Sequence, residues 1–295
     1  MSGPAQLRAL LNSNTFLHLP SVYDALGARL VQSVGFEAAY VGGYVVGAKL
    51  AVSEPLVTLT EQVAVAGEVA GAVTIPVLAD AGAGFGDPLH TMRTVREFCR
   101  AGIAGIHIED QLYPKRAHYH ADSVHQIPAD EFAEKISFAC RQRDEIDPDF
   151  VIIARTDSCR EFGLAEASAR LNAAALEGPD LGLLFPRTLE EAEQAPKACT
   201  LPLVYVQGRG NRDGRPIISR QELKRMGYVA CIESQVVLTT AFHFLKLALT
   251  ELRATGDFNG ISEREFVVAR KAVEDTIGLD EFYRIERETV EKFHE

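Results

Sequence analysis

Two acids, each closing a short apolar run, mark where chemistry is concentrated in this 295-residue chain. Ile75-Pro76-Val77-Leu78-Ala79 stops at Asp80, and Gly105-Ile106-His107-Ile108 stops at Glu109-Asp110. Between them lie a glycine-rich turn, Pro88 and a segment of helical periodicity (Leu89, Met92, Val95, Phe98, Cys99). Strand, turn, helix, strand reads as a βαβ unit, whose right-handed crossover sets both strand ends on one rim of a parallel sheet. Asp80 and Glu109 therefore converge where parallel sheets carry their chemistry. A carboxylate at the end of a buried strand needs a partner, and a hard cation such as Mg²⁺ suits a pair of them. The plainer alternative is that Asp80 caps the next turn and Glu109 pairs with a nearby Lys or Arg.

Other strand ends supply companions: Tyr40 with Gly42-Gly43, Arg155-Thr156-Asp157, Arg187, Gln207 and Glu233-Ser234. An Arg on the neighbouring strand can grip a carboxylate or phosphonate through two parallel hydrogen bonds. Gly42-Gly43 would let backbone N–H groups approach an anionic oxygen closely. For Arg155 the competing reading is a structural pair with Asp157 or Glu109. Gly82-Ala83-Gly84-Phe85-Gly86 does not have dinucleotide-binding spacing and reads as a rim turn. Lys115, Arg116, His118, His120 and His125 sit on a long loop after the fourth strand, as a closing lid with a general acid or as a solvated surface loop. His107 reads as a hydrogen-bonded core histidine.

These residues need elements to hold them, and the chain provides eight apolar runs alternating with eight helical segments. Near-continuous apolar strands suit a parallel sheet covered on both faces, and eight βα units at this length predict an α/β fold of the (β/α)₈, TIM-barrel type. The chain is predicted as one barrel domain, 1–295, with 256–295 a C-terminal helical extension. Apolar stripes in that extension (Phe266, Val267, Val273; Phe282, Ile285, Val290, Phe293) require a surface, on this barrel or on a neighbouring subunit. A net charge of −11 and a pI near 5.3 argue against nucleic-acid binding. The apolar runs are too short to cross a bilayer and MSGPAQLRAL lacks a signal-peptide core, so no membrane partner and a cytoplasmic location are expected. Five cysteines (Cys99, Cys140, Cys159, Cys199, Cys231) show neither metal spacing nor a CxxC pair and read as reduced thiols.

Asp80 with GFGD, then HIEDQLYPKR, then IIARTD downstream resemble the isocitrate lyase / phosphoenolpyruvate mutase superfamily, over about Ser21 to Ser234. The resemblance implies a Mg²⁺-dependent enzyme acting on a small 2-oxo or 2-hydroxy dicarboxylic acid through an enolate-like intermediate. It places Asp80 as a direct metal ligand and Glu109 as one acting through water. By the match, Gly42, Gly43 and Arg155 would meet substrate, and Lys115 and Arg116 would lie on a closing loop; beside the match, Tyr40 and Arg187 are expected as further substrate contacts, and His118 and His120 as catalytic groups with Lys115, Arg116 and Arg155. The resemblance also implies a homo-oligomer, a dimer or a tetramer, in which C-terminal helices swap between subunits.

Departures from the family pattern fall in the site. The lyases' loop Lys-Lys/Arg-Cys-Gly-His is here Lys115-Arg116-Ala117-His118-Tyr119-His120, without the thiol. Asp-Ala-Asp is Asp80-Ala81-Gly82, a Glu closing the sixth strand is Arg187, an Asn on the seventh is Val206, and an Asp after the second is Glu54. Arg187 adds positive charge where a second carboxylate or a phosphonate would lie. A lyase or decarboxylase is expected, with a phosphonomutase-type C–P bond enzyme and an anion-binding barrel with a decayed site as the alternatives.

Overall fold

All eight apolar runs are strands in the computed structural model, which describes residues 2–13, 15–117 and 123–292. They are β1 (Leu17–Pro20), β2 (Ala39–Val41), β3 (Val77–Asp80), β4 (Gly105–Glu109), β5 (Val151–Arg155), β6 (Leu181–Leu183), β7 (Leu203–Gln207) and β8 (Ala230–Glu233). All pair in parallel in the order β1-β8-β7-β6-β5-β4-β3-β2, and the ring closes through a bridge between Ser21 and Tyr40, with Val22 N–H donating to the Tyr40 carbonyl at 2.8 Å.

Strand alternation sorts the side chains into two layers. Leu17, Leu19, Leu78, Val151, Ile153, Leu183, Val204 and Ile232 fill the barrel interior, and Leu7 from α1 (Gly3–Asn12) joins that cluster. Val77, Ala79, Ile106, Ile108, Ile152 and Cys231 face the helices. Gly105 is required by packing: a Cβ there would lie 2.6 Å from Val151 Cβ and 2.8 Å from Leu78 Cδ2. Asp80, His107, Glu109 and Arg155 continue the inward phase of their strands, so the polar mouth caps the apolar interior.

The covering helices are α2 (Ala25–Ser33), α3 (Gly43–Lys49), α4 (Leu59–Ala72), α5 (Pro88–Arg100), α6 (Ala129–Ile146), α7 (Cys159–Ala175), α8 (Leu189–Ala198) and α9 (Arg220–Met226). After β2 the chain forms α3 and a 3₁₀ turn over Glu54–Leu56, and α4 is capped by Thr58, with which Glu61 completes a capping box. Helix α7 begins at Cys159 and bends at Gly163, where φ is +77°.

Helices α10 (Val236–Thr255), α11 (Glu263–Ile277) and α12 (Leu279–Glu288) contribute no buried residue. Helix α11 rests on α2, where Arg29 donates to the Ile277 carbonyl at 3.0 Å. Helix α10 exposes Phe242, Phe244, Leu245, Leu247, Leu249 and Leu252, and an open groove of about 840 Å³ runs along it. No helix among the described residues is long and apolar enough to cross a membrane.

Candidate active site

Register brings the acids together. Asp80 on β3 pairs with His107 on β4, and Glu109 pairs with Arg155 on β5. The Asp80 carboxylate accepts from Gly43 N–H at 3.1 Å on Oδ2 and from Gly82 N–H at 2.8 Å on Oδ1. Each oxygen keeps a lone pair for a further partner. A Cβ at Gly43 would lie 2.9 Å from Glu54 Cγ and 3.1 Å from Asp80 Oδ2, so only glycine lets the start of α3 approach this closely. Beneath Asp80, the Tyr40 hydroxyl and His107 Nε2 are hydrogen-bonded at 2.6 Å, and His107 Nδ1 is 3.6 Å from Asp80 Oδ1. Tyr40 is thus linked to the mouth through His107.

Glu109 is fully buried and lies between two cations. Lys115 Nζ sits 3.0 Å from Oε1, outside hydrogen-bonding angle, with its hydrogen bond going to Oε2 at 3.3 Å. Arg155 Nη2 is 2.9 Å from Glu109 Oε2, while its Nε and Nη2 donate to Asp157 at 2.8 and 2.9 Å, and its Nη1 is 3.7 Å from Asp80. Lys115 also donates to Glu54 at 2.5 Å, and Gln111 donates to Asp157. The plainer sequence readings are therefore present as contacts: Asp80 caps its turn, Glu109 pairs with Lys115 and Arg155, and Arg155 pairs with Asp157.

Charge shows what those contacts leave unbalanced. Among the described residues the carboxyl groups of Glu54, Asp80, Glu109 and Asp157 gather around Lys115 and Arg155, so acids outnumber the bases they contact in the mouth. A divalent cation fits that deficit and the all-oxygen donor set. The buried Glu109 Oε1 is ion-paired with Lys115 at 3.0 Å without an aligned hydrogen bond. A cavity of about 30 Å³ lined by Gly43, Glu54, Asp80, Gly82, Phe85, Tyr113 and Lys115 has room for one small ion or water. The acids are not drawn together as a preformed cage: among the described residues the only trio of donor atoms within 4.8 Å is His18, Cys231 and Glu233, on the outward face of β1 and β8.

Burial alone would raise Asp80, but His107, Arg155, Lys115 and the Gly82 N–H hold its carboxyl well below the usual range. Burial pushes His107 down to about 4, so at neutral pH it is uncharged and Arg155 and Lys115 supply the pull on Asp80. Burial pushes Glu109 up to about 7 against the pull of Arg155 and Lys115. Lys115 moves the other way: burial would lower it, yet Glu109 and Glu54 raise it, so it stays protonated and Glu109 is the partner that gains a proton as pH falls. Cation affinity is therefore expected to fall as pH drops through about 7, because a proton competes for Glu109. Isothermal titration of Mg²⁺ at pH 6 and pH 8 checks this sign; equal affinity at both contradicts it.

The remaining candidates scatter. Arg116 is exposed on the rim, and His118 and His120 lie outside the described residues. Gly42 caps α3, and its own Cβ would meet Tyr40 Cε1 at 2.9 Å. Val206, in the family's Asn position, packs into the barrel interior. Arg187 Nη1 binds Asp213 at 2.6 Å on the loop after β7. Sequence reasoning missed that loop, and it missed Phe185, whose ring lies 4.9 Å from the Arg155 guanidinium. Their signal was the run of charge among turn residues in Gly208-Arg209-Gly210-Asn211-Arg212-Asp213-Gly214-Arg215.

A parallel (β/α)₈ barrel with acids from β3 and β4 and an Arg from β5 at its C-terminal mouth is the architecture of a barrel enzyme handling small anions. The chain belongs to the phosphoenolpyruvate phosphomutase family, whose profile matches residues 7–253, within the PEP mutase/isocitrate lyase superfamily. It is similar to "Probable 2-methylisocitrate lyase 2" of Corynebacterium glutamicum, at 35% identity over 85% of this chain and 80% of that protein. It is similar to 2,3-dimethylmalate lyase of Eubacterium barkeri, at 31% identity over 97% of this chain and 98% of that one. A crystal structure of 2,3-dimethylmalate lyase superposes with a TM-score of 0.88 at 31% identity, covering 98% of this chain and 95% of that chain.

Proposed function

We propose that this chain is a Mg²⁺-dependent carbon–carbon bond lyase or decarboxylase of a small 2-oxo or 2-hydroxy dicarboxylic acid, acting through an enolate-like intermediate. The observation that carries the reading is the mouth itself: three buried carboxylates and the half-buried Glu54 around two cations, with the same inward register on β3, β4 and β5. Asp80 would ligate the cation and Glu109 would hold it through water. The cation supplies Lewis-acid stabilisation of negative charge developing on substrate oxygens, worth several kcal/mol in metalloenzymes.

The chain's own residues orient and shield. Arg155, kept charged by Asp157, Glu109 and Asp80, presents a fixed guanidinium to a carboxylate. Gly42 and Gly43 keep the start of α3 within reach of a substrate oxygen. Lys115, with Arg116, His118 and His120, would serve the loop that excludes water. With Ala117 in the thiol's place, the proton for a cleaved carbon comes from His118, His120 or water. Five free thiols support a reducing, cytoplasmic setting.

The chain is read as a single barrel domain with 256–295 as its helical extension. The uncovered apolar face of α10 supports a dimer or tetramer in which that helix docks on a second copy. Assays with Mg²⁺ against oxaloacetate, 2-methylisocitrate, 2,3-dimethylmalate and phosphonopyruvate test the activity. Turnover of one carboxylic acid, abolished by EDTA, is expected. Turnover of phosphonopyruvate alone would shift the assignment to C–P chemistry, and no turnover of any would remove the enzyme reading.

A further inference from the structure

Beside the mouth, two arginines share one internal carboxylate. Arg187, four residues past β6, donates through Nη1 to Asp213 Oδ2 at 2.6 Å and through Nη2 to the Asp213 carbonyl at 2.8 Å. Arg215 donates through Nε to the other carboxylate oxygen, Oδ1, at 3.2 Å. One carboxylate is thus shared by two guanidiniums, one per oxygen, as a ligand carboxylate would be. The three side chains are 23%, 20% and 18% exposed, sheltered enough to discriminate and open enough to exchange.

The subsite adjoins the catalytic mouth through Phe185. The Arg155 and Arg215 guanidinium carbons lie 4.9 and 4.8 Å from its ring centroid. The two cations are therefore no more than about 10 Å apart, a span that a short-chain diacid bridges. The loop that carries Asp213 and Arg215 is fastened from within. Asn211 Nδ2 donates to the Gly208 carbonyl at 2.9 Å and to the Arg215 carbonyl at 3.1 Å, and Arg215 N–H donates back to Asn211 Oδ1 at 2.9 Å. Arg215 is held by that frame, and Asp213 lies within the same turn, followed by Gly214, whose φ is +69°. Burial would raise the Asp213 carboxyl, but the bond from Arg187 and the charge of Arg215 hold it below the ordinary range, so it occupies the fork as an anion.

We propose that Arg187 and Arg215 form the subsite for the substrate's second, distal carboxylate, and that Asp213 is its resident occupant, displaced when that carboxylate arrives. This rests on the proposed function, and it narrows the substrate to 2-oxo or 2-hydroxy acids with a remote carboxylate. An internal competitor lowers apparent affinity by the fraction of time it leaves the fork vacant. Asp213 therefore penalises ligands that carry the distal carboxylate more than ligands that lack one.

The test is calorimetry on the full chain with Mg²⁺, comparing 2-oxoglutarate with 2-oxopentanoate, which has the same carbon chain without the terminal carboxylate. Wild type should prefer 2-oxoglutarate. Arg187→Ala and Arg215→Ala should each lose that preference, and Asp213→Asn should increase it roughly tenfold by removing the competitor, with 2-oxopentanoate unchanged. If Asp213 only fastens the loop, Asp213→Asn weakens both ligands or changes neither, and the proposal is overturned. Equal affinity of wild type for the two ligands also overturns it. Oxalate, which has no distal carboxylate, separates the two failures: Mg²⁺-linked oxalate binding that persists keeps the proposed function while the subsite falls, and its loss in wild type removes both.

Discussion

Asp80→Asn is expected to lower kcat/KM by about 10³, equivalent to roughly 4 kcal/mol of transition-state stabilisation, with the fold retained. The substitution keeps side-chain volume but removes the one strand-end carboxylate whose two oxygens are each held by a backbone N–H and still have a lone pair to offer. An amide cannot match this, because its NH₂ would face the Gly43 or Gly82 N–H. It also removes one negative charge from the mouth, which weakens cation binding through the same side chain. Steady-state kinetics across a Mg²⁺ titration, with circular dichroism to show the fold intact, check the expectation. Activity within a few-fold of wild type would mean that Asp80 only caps its turn.

The second large effect concerns assembly. Leu245 and Leu249 stand 61% and 63% exposed on α10, beside Phe242 and Lys246 along one groove. Fully burying a leucine contributes about 1.5–3 kcal/mol, and placing a carboxylate in an apolar interface costs more. The double variant Leu245→Glu/Leu249→Glu is accordingly expected to sediment as a monomer where wild type sediments as a dimer or tetramer, with a lower Tm. Analytical ultracentrifugation reads this directly. A wild type that is already monomeric at micromolar concentration, or a variant with an unchanged sedimentation coefficient, contradicts the docked-helix account.

The barrel was legible because its strands are short, apolar and closed by polar residues at regular spacing. Period-two alternation in Leu78-Ala79-Asp80 and His107-Ile108-Glu109 also carried the acids to one lip, as the register shows. Pairing of Glu109 with a Lys or Arg and of Arg155 with Asp157 was among the readings the sequence offered; what it did not disclose was the part of Glu54 in the mouth. Lys115 read as a lid cation, yet its side chain is buried between Glu54 and Glu109, a contact set by how the loop folds back rather than by local pattern. The bond between the Tyr40 hydroxyl and His107, on neighbouring parts of the mouth, was likewise out of reach of local pattern. Helix α3 escaped notice because Gly43-Tyr44-Val45-Val46-Gly47 combines two glycines with β-branched residues, both poor helix formers. The loop after β7 was silent for a similar reason: turn residues dominate it, and the bridging of Arg187 and Arg215 by Asp213 appears only in three dimensions.

Oxalate imitates the planar, doubly anionic head of an enolate, so its binding reports on the mouth without requiring the substrate. The decisive measurement is calorimetric titration of oxalate into the full chain with Mg²⁺ and again with EDTA, in wild type and in Asp80→Asn. The account predicts tight binding to wild type only when Mg²⁺ is present, and no such enhancement in the variant. Oxalate binding of equal strength with and without the cation would show that the acids of β3 and β4 serve the fold alone.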